Sequence, residues 1–270
     1  MSLLSAHFAQ IDEDRYQPGP FAQSHWGEDH LNGPAVVGLA GYALESSYGL
    51  SDFLPARLTV DLFKAARGVP TTCKTSLVRD GRRVRNSECE LVQDGVTVAR
   101  ATLVQYRISE APRGAEWVRD TEFSYPTELD EARGINIGSD GLGWTSSIAE
   151  HQNAARKRCF NRTIDVVEGV ENSAFLRAAM AAEGTSLVTN LGTDGVGYIN
   201  GDLTVALSRL PSDVWVGVEA DSHWTANGVS VGTATLFDAH GAFGTGMVTA
   251  VSNPAAQIDF GNDPFPDRTR

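Results

Sequence analysis

The chain of 270 residues contains an internal repeat in which similar text recurs 145 positions later. Leu58-Thr59-Val60 matches Leu203-Thr204-Val205 at that offset. Further on, Asp94-Gly95-Val96 aligns with His240-Gly241-Ala242 if one residue is inserted. A repeat of this length predicts one small fold used twice, with function at the junction between the copies.

Each half is predicted to contain an apolar helix followed by an antiparallel sheet, and the first half is expected to open with an irregular stretch to about Gly33. In the first half, residues 34–48 are almost continuously apolar and follow Asn32, a good cap, which predicts a helix buried nearly all round. The pairs Asp80-Gly81 and Asp94-Gly95 favour tight hairpins between the strands that follow. These strands are predicted at 56–63, 71–80, 82–93 and 96–107.

The second half repeats this order with a helix over residues 173–183, which is expected to end at Gly184. Its strands are predicted at 201–208, 214–224, 228–238 and 244–251. The chain is therefore divided into a first unit at 1–108, a linker at 109–129, a second unit at 130–253 and a loose tail at 254–270.

The composition limits the classes of partner. A formal net charge of −12 argues against nucleic acid or an anionic membrane surface. No apolar run approaches the roughly 20 residues that a membrane span requires. The first residues lack a basic stretch followed by an apolar one, and three widely spaced cysteines fit neither a disulfide framework nor a zinc site. We therefore expect a cytoplasmic protein without a metal or cofactor.

Two basic clusters remain within this acidic chain, and each has two interpretations. Arg82 and Arg83 belong to the first, and Arg156 and Arg158 to the second. Either pair could bind the phosphates of a small substrate. The alternative is a solvated hairpin or strand end.

Particular stretches of sequence carry a family resemblance. Gly33 to Ala40, with His30 before it, is similar to a glycine-rich entry into a central helix, and Thr189 to Val205 is similar to the C-terminal half of the same family. The chain resembles acyl-CoA thioesterases of the bacterial type-II group over roughly residues 18–253. The resemblance implies an α+β double hotdog fold, in which two antiparallel sheets each wrap around a long central helix. It also implies hydrolysis of acyl-CoA or acyl-pantetheine thioesters in fatty acid metabolism, and a possible homo-oligomer.

The family orients a water molecule with an Asp, a Thr and a Gln. The resemblance places the Asp at Asp194 and the Thr at Asn200, with Thr204 as an alternative. The Gln falls at Val248, whose side chain makes no hydrogen bonds. A carboxylate in a dry cleft would have a raised pKa suited to a base, whereas the other interpretation of Asp194 is a turn residue that bonds its own backbone.

The remaining predicted groups lie near the first helix. Backbone N–H groups at its start could polarise the thioester carbonyl, and Gly33 would let that carbonyl approach closely. Gly33 could equally serve only the turn into the helix. His30 is a candidate base or substrate-orienting donor, or else a structural loop residue.

Other catalytic patterns are missing from the sequence. No histidine follows an aspartate by five residues, and neither G-x-S-x-G nor G-x-G-x-x-G occurs in the required setting. The leading hypothesis, which the family resemblance implies, is hydrolysis of acyl-CoA thioesters by carboxylate-activated water. The alternative is a non-catalytic protein that binds acyl thioesters or other hydrophobic ligands, since Val248 stands at the Gln position.

Overall fold

The computed structural model describes residues 6–262 and shows an antiparallel sheet that carries its helices on one face. The helices are α1 (Gly33–Tyr48), α2 (Ala174–Ala182) and α3 (Gly184–Asn190). The strands before α2 are β1 (Ala6–Asp12), β2 (Arg15–Pro18), β3 (Phe53–Leu62), β4 (Thr71–Asp80), β5 (Val84–Gln93), β6 (Val96–Arg107), β7 (Ile135–Ser139), β8 (Gly143–Thr145), β9 (Lys157–Arg162) and β10 (Asp165–Val167). The later strands are β11 (Leu191–Gly192), β12 (Gly195–Val196), β13 (Tyr198–Asn200), β14 (Asp202–Leu207), β15 (Trp215–Ala226), β16 (Val229–Asp238) and β17 (Gly241–Ser252).

The two halves meet where β3 pairs antiparallel with β14. Thr59 stands opposite Thr204, and their hydroxyl oxygens are 3.1 Å apart. Leu58 faces Val205, and Val60 faces Leu203. The repeated sequence therefore pairs with itself, and a pseudo-twofold axis passes between the two threonines.

This pairing joins both halves into one 15-stranded sheet, ordered β10-β1-β2-β4-β5-β6-β3-β14-β17-β16-β15-β9-β7-β8 with β13 beside β17. The prediction of two separate sheets is therefore wrong. Either half alone would leave β3 or β14 as an edge with unpaired backbone groups, and pairing these two edges satisfies both. The strands β11 and β12 form a small second sheet.

The strand register shows that the repeat runs through the hairpin turns without an insertion. Gln93 opposes Val96 in the first half, and Asp238 opposes Gly241 in the second. Each residue of the second pair therefore lies 145 positions after its counterpart in the first pair. The predicted one-residue insertion is wrong. The two turns differ in conformation instead, with positive φ at Asp94 and Gly95 in one and at Gly241 in the other.

Helix α1 agrees with its prediction. The side chain of Asn32 accepts a hydrogen bond of 2.8 Å from the N–H of Ala35, and Gly49 is the C-terminal cap. Residues 35–41 are all buried, since the helix lies between the sheet and α2. The helix is therefore anchored to its neighbours over most of its circumference.

The second helix is longer than predicted and is broken. Ser173 caps α2 as expected, but Gly184 begins α3 rather than ending the helix. A Cβ at Gly184 would lie 3.2 Å from the Sγ of Cys159, so this glycine serves a close approach to β9. Glu183 stands at the break between the two helices.

The ends of the described chain are more ordered than the sequence indicated. Strands β1 and β2 were not predicted, and β1 pairs in parallel with β10 of the other half. The tail was expected to be loose, yet Ile258 exchanges backbone hydrogen bonds of 2.9 and 3.0 Å with Val196. That expectation is wrong for residues 254–262, and residues 263–270 lie outside the described part. Within residues 6–262, no helix is long and apolar enough to cross a membrane.

Candidate active site

The antiparallel packing of α1 against α2 sets the geometry of the site. Gly41 of α1 lies against Leu176 near the start of α2, and Gly38 lies against Met180 near its end. Small residues on α1 let the two helix backbones approach closely. The N-terminus of α1 is thereby brought to the end of α2, where Glu183 lies.

Glu183 lies directly on Gly33, the first residue of α1. A Cβ at Gly33 would overlap the carboxylate of Glu183, so a larger residue at this position would force that side chain to move. We find no hydrogen bond from the Gly33 N–H to any residue that the structure describes. A carboxylate from one half thus meets a helix start from the other half whose first N–H has no partner in the described chain, and the helix dipole there favours negative charge.

The surroundings of Glu183 alter its ionisation. Burial raises the pKa of this carboxyl from 4.5 to about 7, and a hydrogen bond with the side chain of Asn200 partly opposes that rise. As a whole residue, Glu183 is half-buried rather than fully buried. Burial also raises the pKa of the neighbouring Cys159 thiol to about 12, which leaves that thiol neutral. Glu183 is therefore the group here that can exchange a proton near neutral pH.

The structure brings two predicted site residues, Gly33 and Asn200, to Glu183. Asn200 ends β13, and the hydroxyl of Ser186 donates to its side-chain oxygen over 3.4 Å. Its amide is therefore held between α3 and the carboxylate. Sequence reasoning found these two residues and missed Glu183.

The predicted role of Asp194 requires an apolar cleft, and Asp194 does not lie in one. It is exposed in the turn between β11 and β12. Its carbonyl oxygen accepts a hydrogen bond of 2.6 Å from the side chain of Gln257 in the folded-back tail. The turn interpretation describes this environment, and the catalytic role of Asp194 stays an untested prediction.

Thr204 and His30 make contacts elsewhere. Thr204 alternates along β14 with the buried Leu203 and Val205, so it faces away from the helices and toward Thr59. His30 forms a β-bridge with Arg67. Its pKa is lowered by burial first and by the Arg67 charge second.

The predicted phosphate-binding arginines fall into two groups. Arg156 and Arg158 both form ion pairs with the buried carboxylate of Glu219, and Arg158 also pairs with Asp140. Their charges are therefore neutralised within the fold. Arg82 and Arg83 are exposed in the turn between β4 and β5 and form no ion pair with any residue of the described chain.

A reciprocal arrangement occurs at the opposite ends of the two helices. Glu45 of α1 accepts a hydrogen bond of 2.7 Å from the hydroxyl of Ser173, which caps α2. Burial raises the pKa of Glu45, and this hydrogen bond opposes the rise. The two ends differ in what the carboxyl contacts, because Glu45 bonds the side chain that caps α2, whereas Glu183 lies against the first residue of α1.

Val248, which stands at the family's Gln position, is fully buried on β17 and faces Gly232 of β16. It belongs to the main apolar core rather than to a polar site. Among residues 6–262, no group of three or more His, Cys, Asp or Glu side chains could hold a metal ion.

Comparison with solved structures identifies the class of fold. A protein named a thioesterase II from Thermobifida fusca aligns with a TM-score of 0.67 at 15% identity, over 93% of this chain and 96% of that one. A protein named a thioesterase from Novosphingobium aromaticivorans gives 0.67 at 19% identity, over 92% and 98%. A TesB protein from Mycobacterium avium gives 0.64 at 16% identity, over 92% and 96%. These similarities establish a hotdog-type thioesterase fold of the α+β class.

Family models give the narrower identification. The model of the acyl-CoA thioesterase N-terminal domain matches residues 22–106, and that of the C-terminal domain matches residues 110–250. The chain belongs to the acyl-CoA thioesterase family. A search of curated proteins gives no significant match.

Proposed function

We propose that the protein hydrolyses acyl-CoA thioesters and that Glu183 activates the attacking water. Membership of the acyl-CoA thioesterase family supports thioester hydrolysis in general. The observation that supports the mechanism is that the Glu183 carboxylate lies against Gly33, whose N–H has no partner in the described chain, at the start of α1. A base with a pKa of about 7 suits proton transfer at neutral pH.

In the proposed reaction, the thioester carbonyl lies at the N-terminus of α1 and the water lies between that carbonyl and Glu183. The carboxylate takes a proton as the water oxygen forms a bond to the carbonyl carbon. The resulting oxyanion is stabilised by the Gly33 N–H and the helix dipole. The carbon–sulfur bond then breaks, and the thiolate takes the proton from Glu183, which leaves a carboxylic acid and a thiol.

Asn200 is the proposed positioning residue in this mechanism. Its side chain hydrogen-bonds the Glu183 carboxyl, which fixes the carboxyl orientation and holds its pKa below the value that burial alone would give. This role replaces the predicted contact of Asn200 with water. Loss of the amide should raise the pKa of Glu183 and move the pH profile upward.

The decisive experiment measures thiol release from acyl-CoA substrates of several chain lengths. Glu183→Gln should lower kcat by about 10²–10⁴-fold, the usual contribution of a general base. The matched comparison is Asp194→Ala, which should retain activity because Asp194 is exposed in a turn. Full activity in Glu183→Gln with loss in Asp194→Ala would overturn the assignment in favour of Asp194.

A second candidate function is acyl-thioester binding without turnover. It is favoured by Val248, a fully buried apolar residue at the family's Gln position. This candidate predicts that the wild-type chain binds an acyl-CoA and returns it unchanged. Measurable binding with no thiol release at any chain length would select it over hydrolysis.

A further inference from the structure

A cavity of about 390 Å³ lies beside Glu45, at the opposite end of the helix pair from Glu183. Its volume falls within the usual range for small-molecule sites, roughly 300–1,000 Å³. The apolar residues that line it are Leu50, Phe53, Leu54, Leu103, Ile108 and Leu210. Leu50 and Ile108 are 46% and 64% exposed, so part of this apolar surface faces solvent.

Four arginines lie near this cavity, whose lining also includes the Glu45 carboxyl and Gln105. The guanidinium groups of Arg85 and Arg107 lie over the ring of Phe53, at 5.8 and 4.7 Å from its centre. The backbone N–H of Arg107 bonds the carbonyl of Arg83, which places the β4–β5 turn with Arg82 next to the cavity. Arg85 and Arg107 are paired with aspartates, whereas Arg82 and Arg83 are exposed and unpaired within the described chain. The rim thus offers free cations beside an apolar interior.

The helix start at this end is already occupied. The Ser173 hydroxyl accepts from the N–H of Leu176 and donates to Glu45, so both the helix cap and the carboxyl have partners. At the other end, the Glu183 carboxylate lies against the backbone of Gly33. The Glu45 carboxyl is thus held by a side-chain hydroxyl, whereas Glu183 lies against helix backbone, so the arrangement proposed for Glu183 is not repeated here.

We propose that this cavity is a second, non-hydrolytic binding site for an aliphatic chain that carries an anionic head group. The chain lies against the apolar lining, and the head group meets Arg82 and Arg83. An acyl-CoA and a free fatty acid both have this chemistry. The proposal does not depend on hydrolysis at Glu183, because the two sites lie at opposite ends of the helix pair.

Calorimetry with the full chain tests the proposal, using a non-hydrolysable decanoyl-CoA thioether and decanoate as separate probes. Ser51 is exposed and lines the cavity, so Ser51→Trp should obstruct it without disturbing the core. We expect this variant to lose one binding site while thiol release from acyl-CoA is unchanged. Ser76→Trp, at an exposed position on the outer face of β4, is the matched control and should bind as the wild type does.

Charge reversal tests the rim. Arg82→Glu combined with Arg83→Glu should weaken binding of the anionic probe by about tenfold, the usual scale for two exposed ionic contacts. Arg15→Glu with Arg113→Glu changes the net charge equally and should leave binding unaltered. A loss of affinity for the decanoyl-CoA thioether identifies a phosphate-bearing head group, and a loss of affinity for decanoate identifies a simple carboxylate. Unchanged stoichiometry and affinity in Ser51→Trp, or no effect of the Arg82 and Arg83 reversal on either probe, would overturn the proposal.

Discussion

Glu183→Gln should make the protein more stable at neutral pH even as it abolishes the proposed hydrolysis. The fold keeps the Glu183 carboxyl protonated up to about pH 7, because burial raises its pKa from 4.5. In the unfolded chain the same carboxyl ionises at its ordinary value. Glutamine is neutral at every pH and keeps the oxygen and amide that can bond Asn200.

The magnitude follows from the pKa difference. Each unit by which the folded pKa exceeds the unfolded one is equivalent to about 1.4 kcal/mol. Since the pKa rises from 4.5 to about 7, the wild type loses roughly 3 kcal/mol of unfolding free energy as the pH rises across that window. The loss is absent below pH 4.5 and complete above pH 7. Because Glu183 as a whole residue is only half-buried, this figure is an upper bound.

Urea unfolding of the wild type and Glu183→Gln at pH 5 and pH 8 measures the effect. The advantage of the variant should grow by about 2–3 kcal/mol between these two values, because every other titrating group is common to both proteins. Glu168→Gln removes one negative charge at an exposed position and controls for the net charge. An advantage that is the same at both pH values would refute the reasoning, since it would mean that Glu183 titrates alike in the folded and unfolded chains.

Three further predictions address the site and the seam between the halves. The kcat/KM of the wild type should rise with pH to a plateau, with an apparent pKa near 7, because Glu183 must be ionised to accept a proton; a profile that falls over this range would contradict its role as a base. Gly33→Ala should reduce kcat about 100-fold, since the new methyl group would displace the Glu183 carboxylate, whereas Gly201→Ala has open space and should retain activity in the same thiol-release assay. Thr59→Val and Thr204→Val remove the hydrogen bond between β3 and β14, and a double-mutant cycle of urea unfolding should give a coupling energy of about 1 kcal/mol between them. Strictly additive effects would show that this bond contributes nothing to stability.

The repeat made much of the fold predictable. Its offset located corresponding strands, and the apolar run after Asn32 identified α1 with both of its caps. The junction was harder to predict. Whether β3 and β14 end two sheets or join one depends on pairing between distant edges, which local periodicity does not determine.

The site was predicted only in part, and the reason lies in one glycine. Gly184 was interpreted as a helix end, which would place Glu183 at an exposed terminus, whereas the chain continues as α3 and leaves Glu183 inside the protein. The family resemblance then directed attention to Asp194. A signal was nevertheless present, because Glu183 is the one acidic residue among the apolar and small residues from 178 to 189. An isolated carboxylate in such a run is costly to bury unless it has a function.

The strand pairing at Thr59 and Thr204 has a consequence for how this molecule can vary. In a dimer of two identical chains related by such an axis, every substitution appears twice. The two ends of its helix pair therefore always carry the same residues. Linking the copies in one polypeptide removes that constraint. Here the Glu183 carboxyl lies on Gly33 at one end and the Glu45 carboxyl bonds Ser173 at the other, so a single gene can specialise one end for chemistry and leave the other for a different task.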